Sequence, residues 1–120
     1  MMKNPAPLFG ALTGLILGLV PPAFAHHGWS GYDAAKLVTL TGAIREIGYE
    51  SPHTHVRLEA SGKTWMIILA PPSRMTNRGI PTGLLKVGQT VEVQGYAHRT
   101  DQEEFRAERI VVDGKTVELR

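Results

Sequence analysis

The chain has 120 residues, with 13 lysines and arginines against 11 acidic residues, five histidines and no cysteine. The absence of cysteine excludes disulfides and excludes membrane attachment through a lipid-modified cysteine. Acidic and basic residues are interleaved, as in Arg106-x-Glu108-Arg109, which indicates a solvated surface of mixed charge and argues against a nucleic-acid partner.

The N-terminal segment has the pattern of a secretory signal peptide over residues 1–25. Lys3 precedes an apolar run from Leu8 to Val20, and two prolines and an Ala23-x-Ala25 triplet follow. The apolar run is shorter than the roughly 18 to 20 residues that span a bilayer. We therefore expect a periplasmic or secreted protein with no stable membrane anchor after cleavage, whose first residue is His26.

The remaining 95 residues are enough for one small domain. Residues 26–36 show no period and are interpreted as an irregular arm that Trp29 and Tyr32 pin to a domain formed by residues 37–120. Apolar residues alternate along the domain with period two, and turn residues separate the runs. The pattern predicts strands over 37–47, 53–60, 63–69, 90–98, 105–112 and 116–119, with a short helix that starts at Pro72 or Ser73 and ends at Arg78.

Three strands, a connection that contains a helix, and two further strands form the element order of the OB-fold. We therefore predict an all-β protein of small helical content, an OB-fold-like Greek-key barrel of five to six strands with one short helix between strands 3 and 4. Closing the sheet into a barrel removes most exposed strand edges. A small domain without cysteine needs this, because it cannot leave long sheet edges exposed. A β-sandwich and an open α+β sheet are the alternatives.

Several short motifs together resemble a family of small secreted bacterial proteins of unknown function. Its members begin with Ala-His-His after the signal and carry an Asn-Pro-His-like segment before the second strand; Ser51 stands here where asparagine is common. The resemblance covers the whole mature chain and implies an exported, OB-like protein, without implying an activity. The motifs are Ala25-His26-His27-Gly28-Trp29, Tyr32-Asp33, Thr41-Gly42, Ser51-Pro52-His53-Thr54-His55, Ala70-Pro71-Pro72-Ser73-x-Met75, Leu85-Lys86-x-Gly88 and Arg106-Ala107-Glu108-Arg109-Ile110.

The predicted mature N-terminus is the first candidate metal site. If His26 is the first residue, its α-amine and imidazole can chelate one ion; alternatively, the amine, the His27 amide and the His27 imidazole form a planar set suited to Cu(II). Nitrogen ligands of this kind favour copper over calcium or magnesium. The alternative interpretation is a polar N-terminus selected for efficient processing.

The second candidate is His53-x-His55, where the two imidazoles would share one face of the second strand. The pair alone is more typical of half-exposed strand residues, but the arm can fold back beside it because the first strand pairs with the second. His98, at a strand end, is expected to be exposed and solvated.

We therefore predict an exported, non-enzymatic binding protein, with the hypothesis of a metal site formed by His26, His27, His53 and His55 that takes a copper ion or another transition metal as its cofactor. No nucleophile or phosphate-binding motif favours catalysis, although a small metal-dependent enzyme is a third interpretation. The second interpretation, which is favoured over the enzyme, is a metal-independent periplasmic module that binds a small ligand, glycan or partner protein. A stacking platform of Trp29, Tyr32, Tyr49 and Tyr96 is less expected than an arm anchored by Trp29 and Tyr32, with Trp65 and Phe105 in the core.

Overall fold

The computed structural model of the protein describes residues 2–5 and 28–120. The described part of the arm contains a short 3-10 turn, Trp29–Gly31, and six strands and one helix follow. Their bounds are β1 Val38–Gly48, β2 His55–Ala60, β3 Lys63–Ile68, α1 Pro72–Asn77, β4 Thr90–Ala97, β5 Glu104–Val112 and β6 Lys115–Glu118.

Five of the strands form a closed barrel. The sheet order is β3-β2-β1-β4-β5-β6, and all neighbours in this order are antiparallel. A parallel pairing of β3 with β5, in which Ile67 lies opposite Phe105, joins the two sides and leaves β6 as an extra strand on β5. This is the predicted OB-fold-like barrel, and the short helix lies between β3 and β4 as expected.

The alternation of the sequence places one face of each strand inside the barrel. Val56 and Leu58 of β2 are fully buried, as are Ile67 of β3 and Val93 of β4. On β1, Gly42 lets the backbone of β2 approach closely, because a Cβ at this position would lie 1.9 Å from the Glu59 carbonyl oxygen.

The strand bounds differ from the prediction by two residues at the start of β2 and by one residue at an end of each other strand, or at both ends for β1 and β6. β2 begins at His55, two residues later than predicted, and β5 begins one residue early, at Glu104. Thr54 still continues the pairing, since its N–H donates to the Ala70 carbonyl and its carbonyl accepts from the Leu69 N–H. His53 is therefore outside the strand but beside its first residues.

The arm is attached to the barrel at the end of β4. Tyr32 forms a bridge with His98, the Asp33 N–H donates to the Ala97 carbonyl, and the Arg99 N–H donates to the Gly31 carbonyl. Tyr32 is only 1% exposed, which confirms its prediction as an anchor. Phe105 is fully buried and Trp65 packs partly buried against the same core, as predicted.

Within residues 2–5 and 28–120, no helix has the length and apolar character required to cross a bilayer.

Candidate functional site

The two histidines of the His-x-His motif open onto one cleft. The cleft has a volume of about 300 Å³ and lies between the β1–β2 connection and the outer surface of β2, β3 and β5. We call it the histidine cleft, and its lining residues are Glu50, Ser51, Pro52, His53, His55, Met66, Ile68 and Glu104.

His55 owes its position to strand pairing with a glycine. It lies opposite Gly48 of β1, and a Cβ at position 48 would come within 2.0 Å of the His55 Cε1 atom. The imidazole thus occupies the space that the glycine leaves open. A side chain at position 48 would displace the ring, so the pairing of β1 with β2 fixes where His55 lies.

His53 contacts the guanidinium of Arg106. The Arg106 Nη2 and His53 Nε2 atoms are 3.3 Å apart. Because a guanidinium only donates hydrogen bonds, the His53 Nε2 atom must accept in this contact, which makes the ring neutral with its proton on Nδ1. The Nε2 lone pair is the one that a metal ion would take, so a metal bound there competes with Arg106.

Arg106 connects the histidine cleft with the arm. Its Cζ atom lies 4.3 Å from the centre of the Trp29 ring, within cation–π range, and the residue is only 7% exposed. Burial lowers the pKa of Arg106, and the nearby Arg74 and Arg120 cations act in the same direction, although Tyr32 and Glu104 oppose them. The sequence indicated a solvated charged strand here; that expectation is wrong for Arg106, because the arm covers this part of β5.

Glu104 is a buried acidic residue that lines the histidine cleft. Its Oε2 atom accepts a hydrogen bond of 2.6 Å from the Tyr32 hydroxyl and lies 3.9 Å from the His98 Nε2 atom. Burial, followed by the hydrogen bond to Glu104, raises the pKa of Tyr32. The phenol therefore stays protonated and donates to the carboxylate that lines the histidine cleft.

His98 has a structural position that the sequence did not predict. Its side chain is 7% exposed rather than solvated, because Tyr32 packs edge-on against it with ring centres 5.1 Å apart. Its Nδ1 atom accepts from the N–H groups of Thr100 and Asp101, at 3.2 and 2.9 Å. A neutral His98 therefore carries its proton on Nε2, which faces Glu104. Its unprotonated Nδ1 atom stabilises the β4–β5 turn.

The predicted metal ligands are only partly described. His53 and His55 share the histidine cleft, whereas His26 and His27 lie outside the described residues. Within the described part of the chain, no three histidine, aspartate or glutamate side chains converge in a way that could hold a metal ion. The described residues thus supply part of a ligand set. His98 is not part of it, because its Nδ1 atom accepts hydrogen bonds from the β4–β5 turn.

Sequence reasoning missed Glu104 and Arg106 as members of the site. They flank Phe105 and point away from the barrel interior, as alternation along a strand requires. Trp29 and Tyr32, which contact Arg106 and Glu104, belong to the arm, and the arm has no period to indicate where it docks. The available signal was a charged residue on each side of a core phenylalanine in the closing strand.

The comparisons with known proteins identify a family without assigning an activity. Residues 15–105 match the family of unknown function DUF6152. No curated protein matches. Among solved structures, the chain is similar to the crystal structure of the ZRD-deleted mutant of TiaS in complex with agmatine, at 20% identity and a TM-score of 0.49. The alignment covers 73% of this chain and only 25% of the TiaS chain.

Proposed function

We propose that this chain, which belongs to the DUF6152 family of unknown function, is an exported, non-enzymatic binding protein with a histidine-based transition-metal site, copper foremost. The ligands would come from His26, His27, His53 and His55. One observation carries the proposal: His53 and His55 open onto one cleft, and the arm that follows His27 docks against Arg106, the residue that contacts His53.

The reach of the arm supports this ligand set. Trp29 lies against Arg106, and His27 precedes Trp29 by two residues, which span at most about 7 Å of extended chain. Trp29, which follows His27 by two positions, therefore lies against the residue that contacts His53. A contribution of His27 to a site requires no long excursion of the backbone.

The chemistry of the ligands supports a borderline or soft transition metal. Imidazole and amine nitrogens suit copper, zinc and nickel, and a planar amine–amide–imidazole set suits Cu(II) in particular. The α-amine exists at His26 only if residues 1–25 are removed. Export and metal binding are thus one proposal with two parts, and each part is measurable.

The proposal is tested on protein recovered from the periplasm. Mass spectrometry of the purified protein should give His26 as the first residue. Calorimetric titration with Cu(II) and with Zn(II) should show one tight site. The double variant His27→Ala, His53→Ala should lower the metal affinity by about a hundredfold or more, since two ligands are lost. A form with one extra residue before His26 should bind Cu(II) more weakly if the amine is a ligand.

His98 provides the matched control. The variant His98→Asn removes an imidazole but keeps an oxygen acceptor near the position of Nδ1, so the β4–β5 turn is retained. It should bind metal like the unmodified protein. Equal metal affinity of the unmodified protein and the His27→Ala, His53→Ala variant would refute the metal site.

The contact between Arg106 and His53 favours one second candidate, a metal-independent OB-fold module. In this contact, the His53 Nε2 lone pair already has a donor and does not require a metal ion as its partner. This candidate would bind a small ligand, glycan or partner protein outside the cytoplasm. It is the interpretation that remains if the titrations detect no specific metal binding.

A further inference from the structure

A second cleft lies at the mouth of the barrel, on the other side of His98 from Glu104. It has a volume of about 510 Å³, within the range of small-molecule sites, and barrel mouths are common places for such sites. We call it the Trp65 cleft. It is lined by Asp33, Lys36, Val38, Trp65, Ala97, His98 and Arg99.

The Trp65 cleft has an aromatic surface that the core holds in place. The Trp65 ring packs edge-on against Phe105, with ring centres 5.9 Å apart, so the core fixes its position. The Trp65 Nε1 atom is buried and has no hydrogen-bond partner among the described residues. A ligand in the cleft can therefore contact the Trp65 ring but not its N–H.

The charges around the cleft are mostly positive. Lys36 and Arg99 are exposed at its rim, and the Nζ atom of Lys63 lies 3.8 Å from the centre of the Trp65 ring. Asp33 is the acidic lining residue that opposes them. Two lining cations against one lining carboxylate favour an anion, and the indole, Val38 and Ala97 favour an apolar body.

We infer that the Trp65 cleft binds a small organic anion with an aromatic or branched apolar body, whose anionic group lies toward Lys36 and Arg99. The ring of the ligand packs on the part of the Trp65 side chain that lines the cleft. This inference does not rest on the proposed metal site. It can be tested on protein kept free of metal by a chelator.

The test uses phenylacetate as the probe and the Trp65 indole N–H as the reporter. The protein has two tryptophans, so a Trp29→Phe variant assigns both indole signals in a nitrogen–proton NMR spectrum. Phenylacetate should shift the Trp65 signal in a saturable manner. Phenethylamine, which has the same ring and the opposite charge, should leave it in place or bind at least about tenfold more weakly, a difference of about 1.4 kcal/mol.

Charge variants identify the site of the anion. Lys36→Glu, Arg99→Glu should weaken phenylacetate binding about tenfold, as expected for two reversed exposed charges. Lys86→Glu changes an exposed lysine outside the cleft and should have no effect. A Trp65 signal that phenylacetate does not move, equal binding of phenethylamine, or unchanged affinity in the Lys36→Glu, Arg99→Glu variant would each overturn the inference.

Discussion

At the scale of single residues, the hydrogen bond from Tyr32 to Glu104 is the most consequential polar contact of the arm. Both residues are buried, and the carboxylate lies at the boundary between the arm and the histidine cleft. A buried carboxylate that loses its donor bears the desolvation cost of that group. Tyr32 therefore stabilises the fold and at the same time positions an acid beside the candidate site.

We predict that Tyr32→Phe lowers the free energy of unfolding by about 1–3 kcal/mol, measured by urea denaturation. Tyr96→Phe is the matched control, because the Tyr96 hydroxyl also donates to a carboxylate, that of Glu108, but in a partly exposed position. Its loss should cost about 1 kcal/mol or less. Equal losses in the two variants would show that the burial of Glu104 does not strengthen its dependence on Tyr32.

The raised pKa of Tyr32 gives the same pair a pH dependence. Below pH 10, the ordinary pKa of tyrosine, the phenol is protonated in the folded and the unfolded chain, so stability does not change with pH on its account. Above that value, the unfolded chain releases the proton first, and the stability of the fold falls as pH rises. Urea midpoints measured across this alkaline range should fall less steeply for Tyr32→Phe; parallel slopes would contradict the prediction.

At the scale of elements, β1 pairs with β2 on one side and with β4 on the other. Ala43 is opposite Glu59 of β2 and Thr90 of β4, and Gly42 precedes it at the crowded point. The glycine has an ordinary extended backbone, and its role is to leave space rather than to adopt an unusual conformation.

We predict that Gly42→Ala destabilises the barrel by about 3 kcal/mol or more, since overpacking by a methyl group costs about 1–3 kcal/mol even when no backbone atom lies so close. The Cβ would lie 1.9 Å from the Glu59 carbonyl oxygen, which only a backbone shift can relieve. Gly28→Ala is the control, because its nearest neighbour is 3.9 Å away. Similar thermal midpoints for both variants would contradict the close approach.

The strands were predictable from the sequence because apolar and polar residues alternate within each of them. The contacts between distant segments could not be predicted in this way. Val56 and Leu58 alternate with polar residues, which indicates a strand without reference to any neighbour. The burial of Arg106 depends on Trp29, more than 70 positions earlier in an arm with no period. His98 was misinterpreted for the same reason, since the ring that covers it belongs to Tyr32.

At the scale of the whole molecule, the barrel is closed by a short parallel pairing. β3 meets β5 over three residue pairs, and the central pair, Ile67 and Phe105, is fully buried. The histidine cleft and the Trp65 cleft both border this closing pair of strands, since Met66 and Glu104 line the first cleft and Trp65 lines the second. The integrity of both clefts therefore depends on closure.

We predict that Phe105→Ala lowers the free energy of unfolding by about 3–5 kcal/mol, a large part of the 5–15 kcal/mol typical of a domain. Val111→Ala, at a half-buried position of the same strand, should cost about 1 kcal/mol or less. Chemical denaturation of both variants measures the difference. A loss for Phe105→Ala as small as that for Val111→Ala would mean that the junction of β3 and β5 contributes little to stability.

Arg106 touches Trp29 on one side and His53 on the other, and this shared contact makes the arm and the histidine cleft thermodynamically reciprocal. A ligand that takes the His53 lone pair displaces Arg106 from its contact with His53. If this ligand changes the equilibrium constant for docking of the arm by some factor, docking of the arm changes the affinity of the ligand by the same factor. Removing the Trp29 ring would therefore tune affinity at a histidine that it does not touch.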